Sequence, residues 1–307
     1  MKPRHTAYLY LLLVSVIWGA ASPVVKNTLT WFDPWIFLTY RFAVSTAIAV
    51  PYLWLARTPM PKKSSDWGLV LLTALVSAPL SLWLFFEALS KTTALSGSLL
   101  TAVGPLLMIL GGAIFFRDRV THSERIGITI TIMGALVTVV GPLIINGQMD
   151  TLGRFEGNLI MLAAVSMDIV AALLSKQAMQ RKINATFLAQ SQFVLGLVLF
   201  LPILLSLRPA GDIWNVIATA PLEAHLGVFF MAVLSGTIAY TLRNMAVKII
   251  EISESALFNY LQPLWGAILA VLWLGEPITK SYVVGGLVIA IGVVIAEHKR
   301  SKGKGLF

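Results

Sequence analysis

Residues Thr121 to Gly134, THSERIGITITIMG, return 158 positions later as TKSYVVGGLVIAIG, Thr279 to Gly292, with the threonine, the serine and two glycines in the same places. The same shift, without a gap, lays Ser77 on Ser235, Leu84 on Leu242, Ala88 on Ala246, Leu99 on Leu257 and Pro105 on Pro263. Earlier in the chain a shift of 151 pairs Phe42 with Phe193 and Pro51 with Pro202. Two copies of one unit are therefore expected, residues 1–147 and 148–307.

What the unit is follows from its composition. Of 307 residues 57% are apolar and only 12% charged, about half the usual share of charge and too little to coat a soluble globule. The apolar residues come in long blocks. A span needs roughly 20 such residues to cross about 30 Å of hydrocarbon, and a backbone surrounded by lipid must satisfy its own hydrogen bonds, which selects helix. Reading between charged and Pro/Gly-rich breaks gives spans near 7–26, 35–56, 67–90, 94–116, 122–145, 157–178, 187–207, 223–247, 253–274 and 280–297. The expected class is all-α, polytopic, with ten transmembrane helices. Lys2 and Arg4 before an apolar stretch resemble a cleaved signal, but its length and the nine similar blocks after it read as a first span. Five spans per unit is an odd number, so the second copy starts on the opposite side of the membrane and the repeats are inverted. Secondary carriers use this arrangement, because exchanging the two halves' conformations exchanges the open side.

Basic residues orient the chain. With the N-terminus in the cytoplasm, the inner segments hold most of the 23 Lys and Arg, among them Arg57, Lys62, Lys63, Arg181 and Lys182, whereas the outer ones hold Lys26, Lys91, Arg154, Arg208 and Lys280. Both termini are thus expected to be cytoplasmic, in the cell (inner) membrane. The net charge of +9 becomes a topology signal and no nucleic acid is invoked. There is no cysteine, and the four histidines stand at span ends without forming a cluster, so no metal and no cofactor is expected.

Trp18-Gly19, Arg41-Phe42, the run ALSKTTALSGSLLTAVGP from Ala88 to Pro105, and Leu274-Gly275-Glu276-Pro277 followed by Gly285 and Gly292 together resemble the EamA family of the drug/metabolite transporter superfamily, a group of ten-helix carriers. The resemblance runs over nearly the whole chain. It implies a cavity between the halves lined by spans 1, 3, 4, 6, 8 and 9, with spans 5 and 10 set aside. Where the family has Gly-Glu after the fourth span this chain has Arg117-Asp118, while Gly275-Glu276 is kept. Capping is the preferred reading of both turns: Thr121-His122-Ser123-Glu124 fits a capping box, and Thr279 or Ser281 suits the start of the last span. Gly127, Gly134 and Gly141, and Gly285 with Gly292, recur every seven residues, as close helix packing requires.

Several residues within spans carry chemistry. Asp168 stands mid-span, where a carboxylate does not face lipid; it reads as a ligand for a cationic group, a proton carrier or the partner of an arginine. Matching Lys26 to Lys176 sets it opposite Trp18. Arg243 lies within a polar stripe of Thr237, Tyr240, Thr241 and Asn244, which suits a wet cavity, although its stem is long enough to reach the interface. Arg41 and Glu87, of opposite charge near the outer ends of spans 2 and 3, are expected either to pair as a gate or to reach the interface separately. Asn259, Gln262 and Trp265 follow at three-residue intervals beside Tyr260. Pro263, like Pro105 in span 4, frees a carbonyl one turn earlier, so both are assigned hinge, binding or packing roles. Trp18, Trp83, Tyr240, Tyr260 and Trp265 are interior aromatics, set apart from a belt of Trp31, Trp35, Trp54, Trp67 and Trp214.

The expected activity is alternating-access transport of a small amphipathic metabolite; export, and an amino-acid-like substrate, are what the resemblance adds. Membrane lipid is the other partner, and Asp168 is the candidate either for coupling transport to protons or for recognising an amino group. Uptake of a nutrient or nucleotide-like compound is the alternative. An enzyme is not expected, since neither HExxH nor a nucleophile with a nearby base is present, and the lack of GxxxxGK[ST] argues against an ATP-driven pump.

Overall fold

The computed structural model describes residues 3–116, 120–146, 150–247, 249 and 258–303, with the side chains of Pro3, Phe116, Asn244, Val247, 141–154 and 297–303 left undescribed. Among the described residues all regular structure is helical. Helices α1 (Pro3–Gly19) and α2 (Ala21–Thr28) form the first crossing and α3 (Pro34–Leu55) the second. The third runs through α4 (Ser64–Leu75), a π-helical segment Val76–Leu82, and α5 (Trp83–Lys91); the fourth is α6 (Ala94–Thr101) and α7 (Gly104–Phe116). Then come α8 (His122–Asn146), α9 (Asp150–Gln180), α10 (Ala185–Leu207) and a short α11 (Ala210–Thr219). A second π-helical segment, Phe230–Ile238, joins α12 (Leu222–Phe229) to α13 (Ala239–Val247), and α14 (Gln262–Leu272) and α15 (Lys280–Gly303) complete the chain.

Eight continuous helices, from Arg4–Thr28 to Leu222–Arg243, are long and apolar enough to cross a membrane; Gln262–Leu272 and Lys280–Ala296 are apolar but shorter. The chain is a polytopic all-α membrane protein. The span expected at 253–274 begins outside the described residues. The helix α11 was not expected: it lies in what reads as a loop between spans 7 and 8. Its Ile213, Val216 and Ile217 pack on the core while Trp214 is 71% exposed, the pattern of a helix lying along an interface.

Helix starts follow local chemistry. Asp33 accepts bonds from the backbone N–H of Trp35 and Ile36 with Pro34 in the first turn, and Asn184 does the same for Thr186 and Phe187. The capping box on α8 is formed, Thr121 N–H donating to Glu124 at 2.7 Å and Glu124 N–H to Thr121 Oγ1 at 3.3 Å. Thr279 caps α15 through the Tyr282 N–H, 3.2 Å. Pro79 lies within the first π-helical segment, where its missing N–H removes a bond from the regular ladder.

The longest helix pair is α8 against α15. A Cβ on Gly127 would fall on the Gly292 carbonyl and on Ala296; one on Gly134 would come 2.7 Å from the Ile289 nitrogen and 2.9 Å from the Gly285 carbonyl. One on Gly285 would meet Thr138, and one on Gly292 Thr131. Adding or subtracting 158 turns each of these contacts into another: 127–292 into 285–134, 127–296 into 285–138, 131–292 into 289–134. Thr131 and Ile289, which are exchanged with each other, meet through a 3.5 Å hydrogen bond. Elsewhere α3 packs on α10, α5 on α9, and α1 between α13 and α14. The core is aromatic where α3 meets its neighbours: Phe37 on Phe86 at 4.6 Å and Phe42 on Phe200 at 5.5 Å.

One end of the bundle is bound by polar ties. Lys26 Nζ donates to the carbonyls of Leu89 and Thr92, 2.7 and 2.6 Å, covering the last turn of α5, and Thr92 Oγ1 donates to Asn158 Oδ1 at 2.6 Å. Gly275, at a φ of 65°, turns the chain so that the Glu276 carboxylate accepts from the backbone N–H of Ala94 and Leu95, both 2.8 Å, at the start of α6.

Candidate functional site

Trp18, near the end of α1, connects two other helices. Its indole N–H donates to the Ser235 carbonyl at 3.1 Å, a group presented by the wide turn of the second π-helical segment. Tyr240 meets its ring edge-on at 5.1 Å, and the Arg243 guanidinium lies over it at 6.0 Å, one turn further along α13. Asp168, from α9, is within electrostatic range of Arg243 and Tyr240. Tyr240 keeps 40% of its surface accessible and Asp168 is also exposed, so both are open to a small molecule. Aromatic faces, a carboxylate and a guanidinium thus meet around one opening. The chemistry of such a set is complementary to a small molecule that has a flat or apolar body and charged ends.

Arg41 and Glu87 are not brought together. Glu87 ion-pairs with Lys91 at 3.2 Å, one turn along the same helix, and Lys91 also pairs with Glu156. Arg41 does not reach the interface either. It is 4% exposed, with its guanidinium 5.7 Å from the Phe86 ring and within electrostatic range of Tyr240.

Trp83 sits half-buried beside Trp35, ring centroids 5.7 Å apart, and Trp35 packs in turn on Phe200 at 5.2 Å. Trp35 therefore belongs to the aromatic core and not to the membrane belt, because the third crossing runs alongside it. The residues at the start of α14 and just before it form a second group. Gln262 Nε2 donates to Asn259 Oδ1 at 3.1 Å and Trp265 Nε1 to Ser15 Oγ at 3.2 Å, while Tyr260 is half-buried next to them. A Cβ on Gly19 would come within 2.7 Å of the Gln262 carbonyl, so this group is pressed against α1 and joins the first through that helix. Asn244 lies on α13, its side chain outside the described residues, as is the Arg117-Asp118 turn.

Both prolines stand directly after a break. Ahead of Pro105 the bonding shortens, Ala102 N–H to the Leu99 carbonyl at 3.1 Å and Val103 N–H to that of Leu100 at 3.2 Å; ahead of Pro263 the Leu261 N–H bonds the Phe258 carbonyl at 3.1 Å. Proline cannot donate to the carbonyls of Thr101 and Asn259. Sequence reasoning missed Ser15 and Ser235, the acceptors that fix the two indoles. Ser235 does carry a sign, its match to Ser77 in the repeat; for Ser15 there is none.

The profile of the EamA-like transporter family matches residues 5–140 and again residues 156–296. An uncharacterized transporter of Methanothermobacter thermautotrophicus is 25% identical, covering 95% of this chain and 86% of its own. A probable terminal-alkyne amino-acid exporter of Streptantibioticus cattleyicolor is 25% identical over 66% of this chain and 64% of its own. A solved crystal structure superposes with a TM-score of 0.63 at 15% identity, covering 98% of this chain and 100% of the other, a likeness of fold. With both halves of the chain matched to one profile, the protein belongs to the EamA-like transporter family.

Proposed function

We propose that the protein is a ten-helix secondary carrier that exports an amino-acid-like metabolite across the cell membrane by alternating access, with two inverted five-helix repeats, residues 1–147 and 148–307, and both termini in the cytoplasm. The observation that carries the reading is the opening between Trp18, Asp168, Tyr240 and Arg243, which unites the two halves around opposite charges. In this reading Asp168 takes the substrate's ammonium group or the coupling proton, Arg243 faces a carboxylate, and the aromatic rings hold the body. The reciprocal contacts of α8 and α15 support the inverted repeat, since a local two-fold axis between the copies generates them. The breaks before Pro105 and Pro263 supply places where the fourth and ninth crossings can bend. The probable terminal-alkyne amino-acid exporter among the relatives supports the substrate class and the direction.

Counterflow tests this. Proteoliposomes loaded with a mixture of unlabelled amino acids should accumulate labelled ones transiently, and Asp168→Asn should reduce the exchange by at least about tenfold, the loss of one charge-assisted contact in a dry site. Absence of exchange with every amino acid, or unchanged exchange in Asp168→Asn, contradicts the assignment.

A further inference from the structure

Among the described residues, six buried side-chain atoms have no hydrogen-bond partner: Thr39 Oγ1, Arg41 Nε and Nη1, Ser45 Oγ, Trp83 Nε1 and Ser98 Oγ. All lie on α3, α5 and α6. Two of the groups, the guanidinium and the indole, can only donate, and the three hydroxyls can donate as well. Arg41 alone contributes two of these atoms, Nε and Nη1, both buried donors without an acceptor. A guanidinium stays charged in any protein environment, and burying one without an acceptor is costly unless something supplies the missing oxygens. Phe86 does not, because the ring attracts the cation through its face and offers no lone pair to an N–H. Arg243 is better provided for, with Trp18 beneath it and Asp168 close by. The helix that carries Arg41, α3, packs on the second π-helical segment, which ends two residues before Tyr240, and Tyr240 is within electrostatic range of Asp168, of Arg243 and of Arg41.

We infer that Arg41 is the anchor for the substrate's carboxylate, its planar fork taking the two oxygens while Asp168 takes the ammonium group on the far side of Tyr240. The substrate class is then a zwitterion with a free carboxylate, and amines or amides of the same skeleton are excluded. The inference rests on the carrier reading above, moves the carboxylate from Arg243 to Arg41, and so reassigns Arg41 from gate to ligand. It also explains why Glu87 spends its charge on Lys91: an acidic partner for Arg41 would compete with the substrate.

The test uses the detergent-purified full chain and thermal melting, since only ligands of the folded state raise its stability. Sodium acetate, butyrate and 3-phenylpropionate are compared with their neutral amides and with sodium chloride at equal ionic strength. At least one carboxylate should raise the melting temperature where its amide and chloride do not, and Arg41→Met should abolish that rise. Empty Arg41→Met should melt no lower than the parent, because the change removes a buried charge without acceptors. If Arg41→Met does not fold, Arg41→Lys decides: it keeps the charge but not the fork, and should weaken the carboxylate response by about tenfold. The inference is overturned by a chloride response as large as any carboxylate's, by no carboxylate response in the parent, or by a response that survives in Arg41→Met or is undiminished in Arg41→Lys. Counterflow in the same preparations separates the two readings: exchange that persists in Arg41→Met at unchanged half-saturation removes the anchor and leaves the carrier, whereas absence of exchange in the parent removes the carrier.

Discussion

The α8–α15 crossing and the opening around Trp18 are built on the same internal repeat and use it in opposite ways. At the crossing, each contact maps onto another, and the residues are glycines, threonines, an alanine and an isoleucine that let two backbones approach. Around the opening the correspondence breaks down chemically. Arg243 answers to Phe85 and Tyr240 to Leu82, and under the earlier shift of 150 Asp168 answers to Trp18. A frame can be symmetric because packing needs only shape. A site for one small asymmetric molecule cannot, because charge must differ from side to side.

The comparison breaks most sharply at the frame. Gly127→Leu drives a side chain into the Gly292 carbonyl and Ala296, where neither backbone can yield without parting the helices. We expect a loss of about 3 kcal/mol, at the upper end of overpacking effects, read as a collapse of the melting transition in detergent. Gly68→Ala is the control: a helical glycine with nothing within 4 Å of the added carbon should be neutral or gain up to about 1 kcal/mol. Equal tolerance of both substitutions would mean that the crossing is not close-packed in solution.

A smaller effect tests the other region. Trp18→Phe keeps a ring for Tyr240 and Arg243 but gives up the bond to Ser235. One neutral hydrogen bond is worth about 1 kcal/mol, so half-saturation for counterflow should rise about fivefold while the melting temperature falls by only about 2 °C. A larger fall in stability with unchanged transport would make Trp18 part of the frame.

How much of this was legible in the sequence follows the same division. The frame was: glycine spacing, capping boxes and apolar blocks are local patterns, and they placed α8, the start of α15 and most crossings to within a few residues. Asp168, Arg243 and Tyr240 were legible as charges and rings in the wrong solvent. Their partners were not, since the Trp18 to Ser235 bond joins residues 217 positions apart. Arg41 and Glu87 were misjudged together because opposite charges at matching depth say nothing of which way each helix face turns. The interfacial α11 was hidden by its length, though Ile213, Val216 and Ile217 at helical spacing after Asp212 were a usable sign. The π-helical segments left no such trace beyond Pro79.

The smallest expected effect separates local from long-range capping within one residue type. Glu124 closes a box with Thr121, three residues away, and a glutamine there keeps an acceptor for the Thr121 N–H, so Glu124→Gln should alter stability little. Glu276 uses each oxygen for a separate N–H at the start of α6, 182 and 181 positions distant, and its charge also faces the positive end of that helix. Glutamine supplies one acceptor where two are used and turns a donor toward the second N–H. Glu276→Gln should therefore cost about 1–2 kcal/mol, lowering the melting temperature by about 2–4 °C. Equal shifts in the two variants would show that Glu276 is only a turn residue and that the start of α6 is held by Thr93 alone.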